Sequence, residues 1–186
     1  MVEYLLQHGA DPNIGRVTGK FFRSETGTVY YGEHCLAFAV CTRQRAMIEL
    51  LFEYGAKVDC SDSSGNTLFH HAVRVNDGFI FDCILSLYQT QFPTFTIMSL
   101  SQLQNYQGFS SLQYAAHLGH EEIFNYMLEK MKIVGWQWGD ISFCAYPINE
   151  IDTHGDNPHS VLETIITEQR SCFMFNEVIY EVLHEK

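Results

Sequence analysis

Cations are scarce in this chain. Lys and Arg number 11 against 22 Asp and Glu, a formal charge of −11. A nucleic-acid backbone recruits clustered cations, so this balance excludes nucleic acid as the principal partner. Long apolar runs are also lacking. The longest stretch free of Asp, Glu, Lys and Arg, Cys83 to His120, is interrupted by Gln89, Gln91, Pro93, Ser99, Gln102, Asn105 and Gly108. A membrane-spanning helix needs about 18 or more predominantly apolar residues in succession, and none lies in these residues. The start, Met1-Val2-Glu3-Tyr4, has neither the basic region nor the small-residue cleavage site of a signal peptide, which points to a reducing compartment and free thiols. The six cysteines (35, 41, 60, 83, 144 and 172) include no C-x-x-C pair, so no compact set of zinc ligands is legible.

Catalytic signatures are missing as well. There is no G-x-G-x-x-G, P-loop or G-x-S-x-G, hence no phosphate cradle and no nucleophile elbow. His120-Glu121 begins the H-E-x-x-H string of zinc peptidases, but position 124 is Phe and the second ligand is absent. Glu49 and Glu53 lie one helical turn apart on a solvated face, and a carboxylate pair without a pocket carries no acid–base chemistry. His34 and Cys35 are sequence neighbours at a helix start and point different ways. Neither an enzyme nor a cofactor is implied by these residues.

What the chain has is apolar material and a repeat. It is 46% hydrophobic and 14% aromatic over 186 residues, enough for one core of ordinary size. Gly32-Glu33-His34-Cys35-Leu36-Ala37-Phe38-Ala39-Val40 recurs in type as Gly65-Asn66-Thr67-Leu68-Phe69-His70-His71-Ala72-Val73, 33 residues on. It recurs again as Gly108-Phe109-Ser110-Ser111-Leu112-Gln113-Tyr114-Ala115-Ala116, after a further 43. A second marker, an apolar helix ending in Gly-Ala, occurs at Leu5-Leu6-Gln7-His8-Gly9-Ala10 and at Leu51-Phe52-Glu53-Tyr54-Gly55-Ala56.

A unit of this length and pattern resembles the ankyrin repeat, a β-turn followed by two antiparallel helices, most clearly at Asp62-Ser63-Ser64-Gly65-Asn66-Thr67-Leu68-Phe69-His70-His71-Ala72. The residue types have physical reasons. Thr67 can cap the inner helix, His70 bonds turn groups, and Gly55 ends the outer helix by accepting positive φ. Ala39, Ala72 and Ala115 let neighbouring helix pairs approach, and Ile48, Leu50 and Leu51 face the inner helix. Asp62, Gly65, Thr67, His70, Gly55 and Gly108 are thus the structural repeat residues. Cys35 and Leu68 stand where the pattern prefers Pro, and Asn105 replaces the Asp that opens a repeat. No single repeat buries its own apolar face, so stability is shared along the stack.

The expected fold class is an all-α repeat, an ankyrin solenoid with β-hairpin fingers and a small β-hairpin after the fourth unit. One stack covers 1–186: a partial repeat at 1–15, a finger hairpin at 16–31, and a repeat at 32–61. A repeat with a finger insertion at 62–104 and a further repeat at 105–134 follow. A linker hairpin at 135–150 and a degenerate last repeat at 151–186 complete it. In the first unit Val2, Leu5 and Leu6 form an outer helix lacking an inner partner, which implies that repeats preceding Met1 belong to a longer protein and that this helix frays or associates. In the last unit Ser160-Val161-Leu162-Glu163 is a capping box, with Phe175, Val178, Ile179 and Val182 on the following helix.

The insertions narrow the resemblance. Phe21-Phe22 and Tyr30-Tyr31 flank a polar turn, Phe92-Pro93-Thr94-Phe95-Thr96-Ile97 forms a second, looser finger, and Trp136-Gln137-Trp138-Gly139-Asp140-Ile141-Ser142-Phe143-Cys144-Ala145-Tyr146 alternates in polarity about a Gly-Asp turn. Together with Gly19-Lys20-Phe21-Phe22, Asp62-Ser63-Ser64-Gly65-Asn66-Thr67, Tyr146-Pro147-Ile148 and Ser160-Val161-Leu162-Glu163, these strings make the chain similar to the cytosolic ankyrin domain of vanilloid-type transient receptor potential (TRPV) channels.

That resemblance implies a fragment of a calcium-permeable cation channel subunit on the cytoplasmic side of a membrane, with the pore formed elsewhere. Its implied partners are other channel subunits, in a homo- or heterotetramer, and cytosolic regulatory proteins. It further implies that the second finger of one subunit, through Phe95 and Ile97, meets Trp136, Trp138, Phe143 or Tyr146 of a neighbour. A soluble ankyrin adaptor, or a pore-less relative, would need the repeats alone.

Overall fold

The computed structural model describes residues 1–16, 33–152 and 159–184. Beyond Arg16, the finger hairpin assigned to 16–31 lies outside the described residues, as does the repeat start around His154 and Gly155. The chain divides into two compact units, Met1–Phe95 and Thr96–Lys186.

The first unit contains α1 (Val2–Gln7), α2 (Cys35–Cys41), α3 (Arg45–Glu53), α4 (Leu68–Arg74) and α5 (Gly78–Gln91). α2 packs on α3, α4 on α5, and the inner helices α2 and α4 on each other. The inner helices are short and carry Ala where they meet; Ala39 and Ala72 are buried, among Leu36, Ile48, Leu51, Leu68, Phe69, Phe81 and Ile84. Leu50 is only half-buried, whereas Ile48 and Leu51 turn inward, as their three-residue spacing on one helix face requires. α2 and α4 begin at Cys35 and Leu68, the first helical positions at which a missing N–H makes Pro welcome in the repeat pattern.

Side chains tie successive loops together. Asn13 donates from Nδ2 to the carbonyl of Gly55 (2.8 Å) and accepts from the N–H of Lys57 (2.9 Å), while Gln91 accepts from the N–H of Val58 (3.2 Å). α1 is not bare, because Leu6 is buried. Yet Val2 and Leu5, at the repeat positions of Ile48 and Leu51, are 36% and 50% exposed against 0% and 4% for their counterparts. They face Phe38 and Ala39 of α2 across an apolar groove of about 440 Å³.

In the second unit a 3₁₀ helix at Ile97–Gln102 leads to α6 (Ser111–Leu118) and α7 (Glu121–Met131). The hairpin β1 (Ile133–Trp138) and β2 (Ile141–Ala145) follows, then α8 (Ile148–Ile151), α9 (Val161–Thr167), a 3₁₀ turn at Ser171–Phe175 and α10 (Glu177–His184). α6 is central and packs on α7, α8 and α9. Ser110 caps α6, and its hydroxyl also donates to the carboxylate of buried Glu150 in α8. Ser160 accepts from the N–H of Glu163, the forward half of the capping box read from the sequence. Arg170 donates to the carbonyl of His117 (2.8 Å) and Asn176 to Asn125 (2.7 Å), pinning the chain's last turns onto α6 and α7.

Two expectations are corrected. Residues 92–97 contain no pair of strands: the chain turns at Pro93-Thr94 and enters the 3₁₀ helix, whose start is bonded through Thr96 and Ser99. Pro93 supplies no backbone donor for a ladder, and Phe95 is drawn inward by Phe69 and Tyr88. Phe175 is not on the last helix. It closes the preceding 3₁₀ turn, 87% exposed, while Phe173 fills the core edge-on to Phe124 and only Ile179 of α10 is buried.

Candidate functional site

The repeat residues build the turns that hold the helices. Asp62 is buried, and its Oδ1 accepts from the N–H groups of Ser64 and Asn66 (both 2.8 Å), while its Oδ2 accepts from Asn66 Nδ2 (2.9 Å). Gly65, with φ of +76°, closes that turn. Thr67 donates its backbone N–H to Nδ1 of His70 (3.2 Å), with its hydroxyl 2.9 Å from the same nitrogen. Because Nδ1 accepts from the amide, His70 carries its proton on Nε2. In the second unit Asn105 accepts from the N–H groups of Gln107 and Phe109 (both 3.0 Å), and Gly108 packs against His159. Gly55 takes φ of +86° at the end of α3.

Burial shapes the titration of this framework. His71, next to Asp62, is held well below the ordinary imidazole range by desolvation and then by the charge of Arg74, against an opposing pull from Asp62. Burial pushes the thiols of Cys41 and Cys60 up to about 11 and about 12, which keeps them protonated and unreactive. Among the described residues no group of three or more His, Cys, Asp and Glu converges to hold a metal ion.

The feature with the character of a docking site is the hairpin. It pairs Ile133 with Ala145, Val134 with Cys144, Trp136 with Phe143, Gln137 with Ser142 and Trp138 with Ile141. The register shifts between Val134 and Trp136, leaving Gly135 as a bulge residue. That single extra residue puts Ile133 on the same face as Trp136 and Trp138, opposite Ala145, Phe143 and Ile141, because directly paired residues share a face and alternate residues along β2 return to it. The reverse face carries Val134, Gln137, Ser142 and Cys144.

Trp136 stacks on Phe143 at 6.5 Å between ring centroids with planes 13° apart. A Cβ on Gly135 would lie 2.9 Å from Phe143 Cδ1, so only a hydrogen fits there. The aromatic face is nonetheless uncovered: Trp138 is 84% exposed, and Ile133, Trp136, Ile141 and Phe143 are each more than half exposed. A two-stranded ribbon with one apolar side in water has the character of a candidate interaction surface.

The other residues singled out in the sequence stand apart from this face. Tyr146 is half-buried at the hairpin's base, its hydroxyl donating to Glu129 (3.4 Å). Phe95 is half-buried, its ring 4.8 Å from Tyr88 and 5.9 Å from Phe69 between centroids. Ile97 opens the 3₁₀ helix, half-buried. The structure brings Trp136, Trp138 and Phe143 together and adds Ile133 and Ile141, which sequence reasoning passed over. The signal for Ile141 was simple alternation with Phe143; for Ile133 it was the Gly two residues on, which marks a bulge.

A helical stack with an unburied ribbon defines a class before it defines a protein. Residues 36–135 match the description "Ankyrin repeats (3 copies)", and the chain belongs to the ankyrin-repeat family. Beyond the repeats, it is similar over 91% of its length, at 30% identity, to transient receptor potential cation channel subfamily V member 5 of Oryctolagus cuniculus. It is likewise similar at 32% identity over 91% of its length to subfamily V member 6 of Rattus norvegicus, and at 30% identity over 99% to subfamily V member 2 of Mus musculus. The chain spans about a quarter of the length of these curated relatives, 23%, 22% and 27% respectively. No helix among the described residues is long and apolar enough to cross a membrane.

Proposed function

We propose that this chain is the cytosolic ankyrin domain of a TRPV-type, calcium-permeable cation channel subunit, and that it serves subunit assembly and contact with regulatory proteins. The observation that carries the assembly role is the one-sided hairpin, whose apolar residues Ile133, Trp136, Trp138, Ile141 and Phe143 meet water. Large aromatic side chains bury much area at little conformational cost and anchor protein interfaces.

The partner surface is the segment around Phe95 and Ile97 of a neighbouring subunit. Phe95 is held in place by Phe69 and Tyr88, so it offers an ordered target for the ribbon. The similarity to the subfamily V channels, which continues through the hairpin and beyond the matched repeats, supports this reading over that of a free-standing adaptor.

Trp138→Ala in the complete protein tests it, with assembly read by native gel electrophoresis and cross-linking. A shift from tetramer to smaller species at unchanged expression is the expected result. Unaltered assembly would remove the hairpin from the subunit interface and favour an adaptor role for the same surface.

A further inference from the structure

The hairpin has a second neighbour on its reverse face. There Cys144 borders a concavity of about 700 Å³ formed between the end of β2, α8 and α10. Apolar side chains line part of it, Ile148 and Ile151 from α8 and Val178 and Val182 from α10, together with Tyr146 beyond the end of β2. Its wall carries Glu177 and Glu181, and no Lys or Arg is among the lining residues.

The arrangement follows from helical geometry. Positions 177, 178, 181 and 182 are one turn apart in pairs, so α10 turns a single stripe of two carboxylates and two valines into the groove. α10 is poorly covered for so apolar a helix, with Ile179 its only fully buried residue and Val178 and Val182 half-buried. Two carboxylates one turn apart repel each other, and a cation set between them relieves that repulsion. With a chain charge of −11, the long-range field favours the same sign of partner.

We propose that this groove docks a basic amphipathic helix from a protein partner, one that presents Lys or Arg at i and i+4 beside an apolar stripe. Positions 177 and 181 are separated along α10 by about 6 Å, the rise of four residues, which the same spacing of cations on a helix laid alongside reproduces. The apolar stripe of the incoming helix covers Ile148, Ile151, Val178 and Val182, and the cations select its orientation. The assignment does not depend on the channel reading, since it concerns the opposite face of the ribbon from Trp136 and Phe143.

A fluorescein-labelled synthetic helix of alternating Leu and Lys stripes, titrated with the full chain and followed by anisotropy, tests this directly. A helix with Glu in place of every Lys is the control. The Lys helix binds and the Glu helix does not. Glu177→Gln with Glu181→Gln, substitutions at solvent-exposed carboxylates, weakens binding by roughly tenfold and flattens its salt dependence. Glu49→Lys with Glu53→Lys, an equally spaced pair on α3, leaves the site affinity within about twofold of the parent.

In parallel, methyl resonances of Ile148, Ile151, Val178 and Val182 shift on titration. Equal binding of the two helices, equal weakening by the α3 pair, or unshifted methyls at those four residues would each overturn the assignment.

Discussion

Nε2 of His71 lies 3.5 Å from Oδ2 of Asp62, both side chains essentially sealed from water. The pair is not an ion pair at neutral pH, because desolvation and the charge of Arg74 hold the imidazole neutral.

A pH dependence follows. The unfolded chain takes up a proton on His71 near the ordinary value of 6.5, while the folded chain refuses it. Stability from this group is therefore full above about pH 7 and lost as pH falls, at up to about 1.4 kcal/mol per unit. Denaturant unfolding at pH 7 and pH 5 should differ by roughly 2 kcal/mol more in the parent than in His71→Gln. Parallel pH profiles for the two proteins would contradict a neutral buried His71.

Asp62 and Asn105 do the same work in different repeats, each accepting from the N–H groups two and four residues ahead. Asp62→Asn should therefore keep the turn and cost about 1 kcal/mol, whereas Asp62→Ala leaves buried donors unpaired and costs about 3 kcal/mol. Chemical denaturation midpoints distinguish the two; equal losses would show that the charge, rather than the turn geometry, is what Asp62 supplies.

Glu150 titrates with the opposite sign. Burial raises its carboxyl above the ordinary range, and the hydrogen bond from Ser110 only partly offsets this. The folded chain holds a proton that the unfolded chain releases, so stability falls as pH rises through that window. Glu150→Gln keeps a partner for Ser110 without burying a charge. It should match the parent near pH ~4 and become progressively more stable than it toward neutrality. Thermal melting across that range provides the check, and a constant offset would mean that folding leaves the titration of Glu150 unchanged.

Gly135→Ala places a methyl group against the ring of Phe143. The hairpin should lose about 1–3 kcal/mol of local stability through this overlap, while the helical core of the same unit keeps its melting temperature. Amide exchange of Trp136 and Phe143 would accelerate, and that of Leu112 and Phe124 would not. Loss of protection at all four sites would show that the ribbon and the helices unfold together.

The repeat was legible because its chemistry is local. Asp62, Thr67 and His70 act on atoms within four residues, so their spacing alone declares the turn. The helix ends were legible only where glycine marks them. The inner helices are followed by left-handed residues at Arg43, Asn76, Gly119 and Gln169, and only Gly119 and, more weakly, Asn76 announce that conformation by their identity. Arg43 is held there by contacts distant in sequence, a hydrogen bond to the Val75 carbonyl and an ion pair with Asp77.

The same limit applies to the sites. Trp136 and Trp138 stand out as aromatic pairs in any reading, but Phe95 turns inward because of Phe69 and Tyr88, which no pattern around residue 95 reveals. The groove beneath α10 joins residues separated by more than thirty positions, and nothing local in Ile148 or Val182 marks them as neighbours.

The bulge at Gly135 makes chain length, rather than side-chain chemistry, the determinant of sidedness. Deleting Gly135 would leave a regular ladder in which Val134 still faces Cys144 and Ile133 still faces Ala145, whereas inserting one more residue between Val134 and Gly135 would carry Val134 to the side of Trp136 and Ile133 to the side that borders the acidic groove. A single codon insertion beside Gly135 would thus rewire both faces of the ribbon while leaving every aromatic anchor in place, and the loss of Gly135 would not.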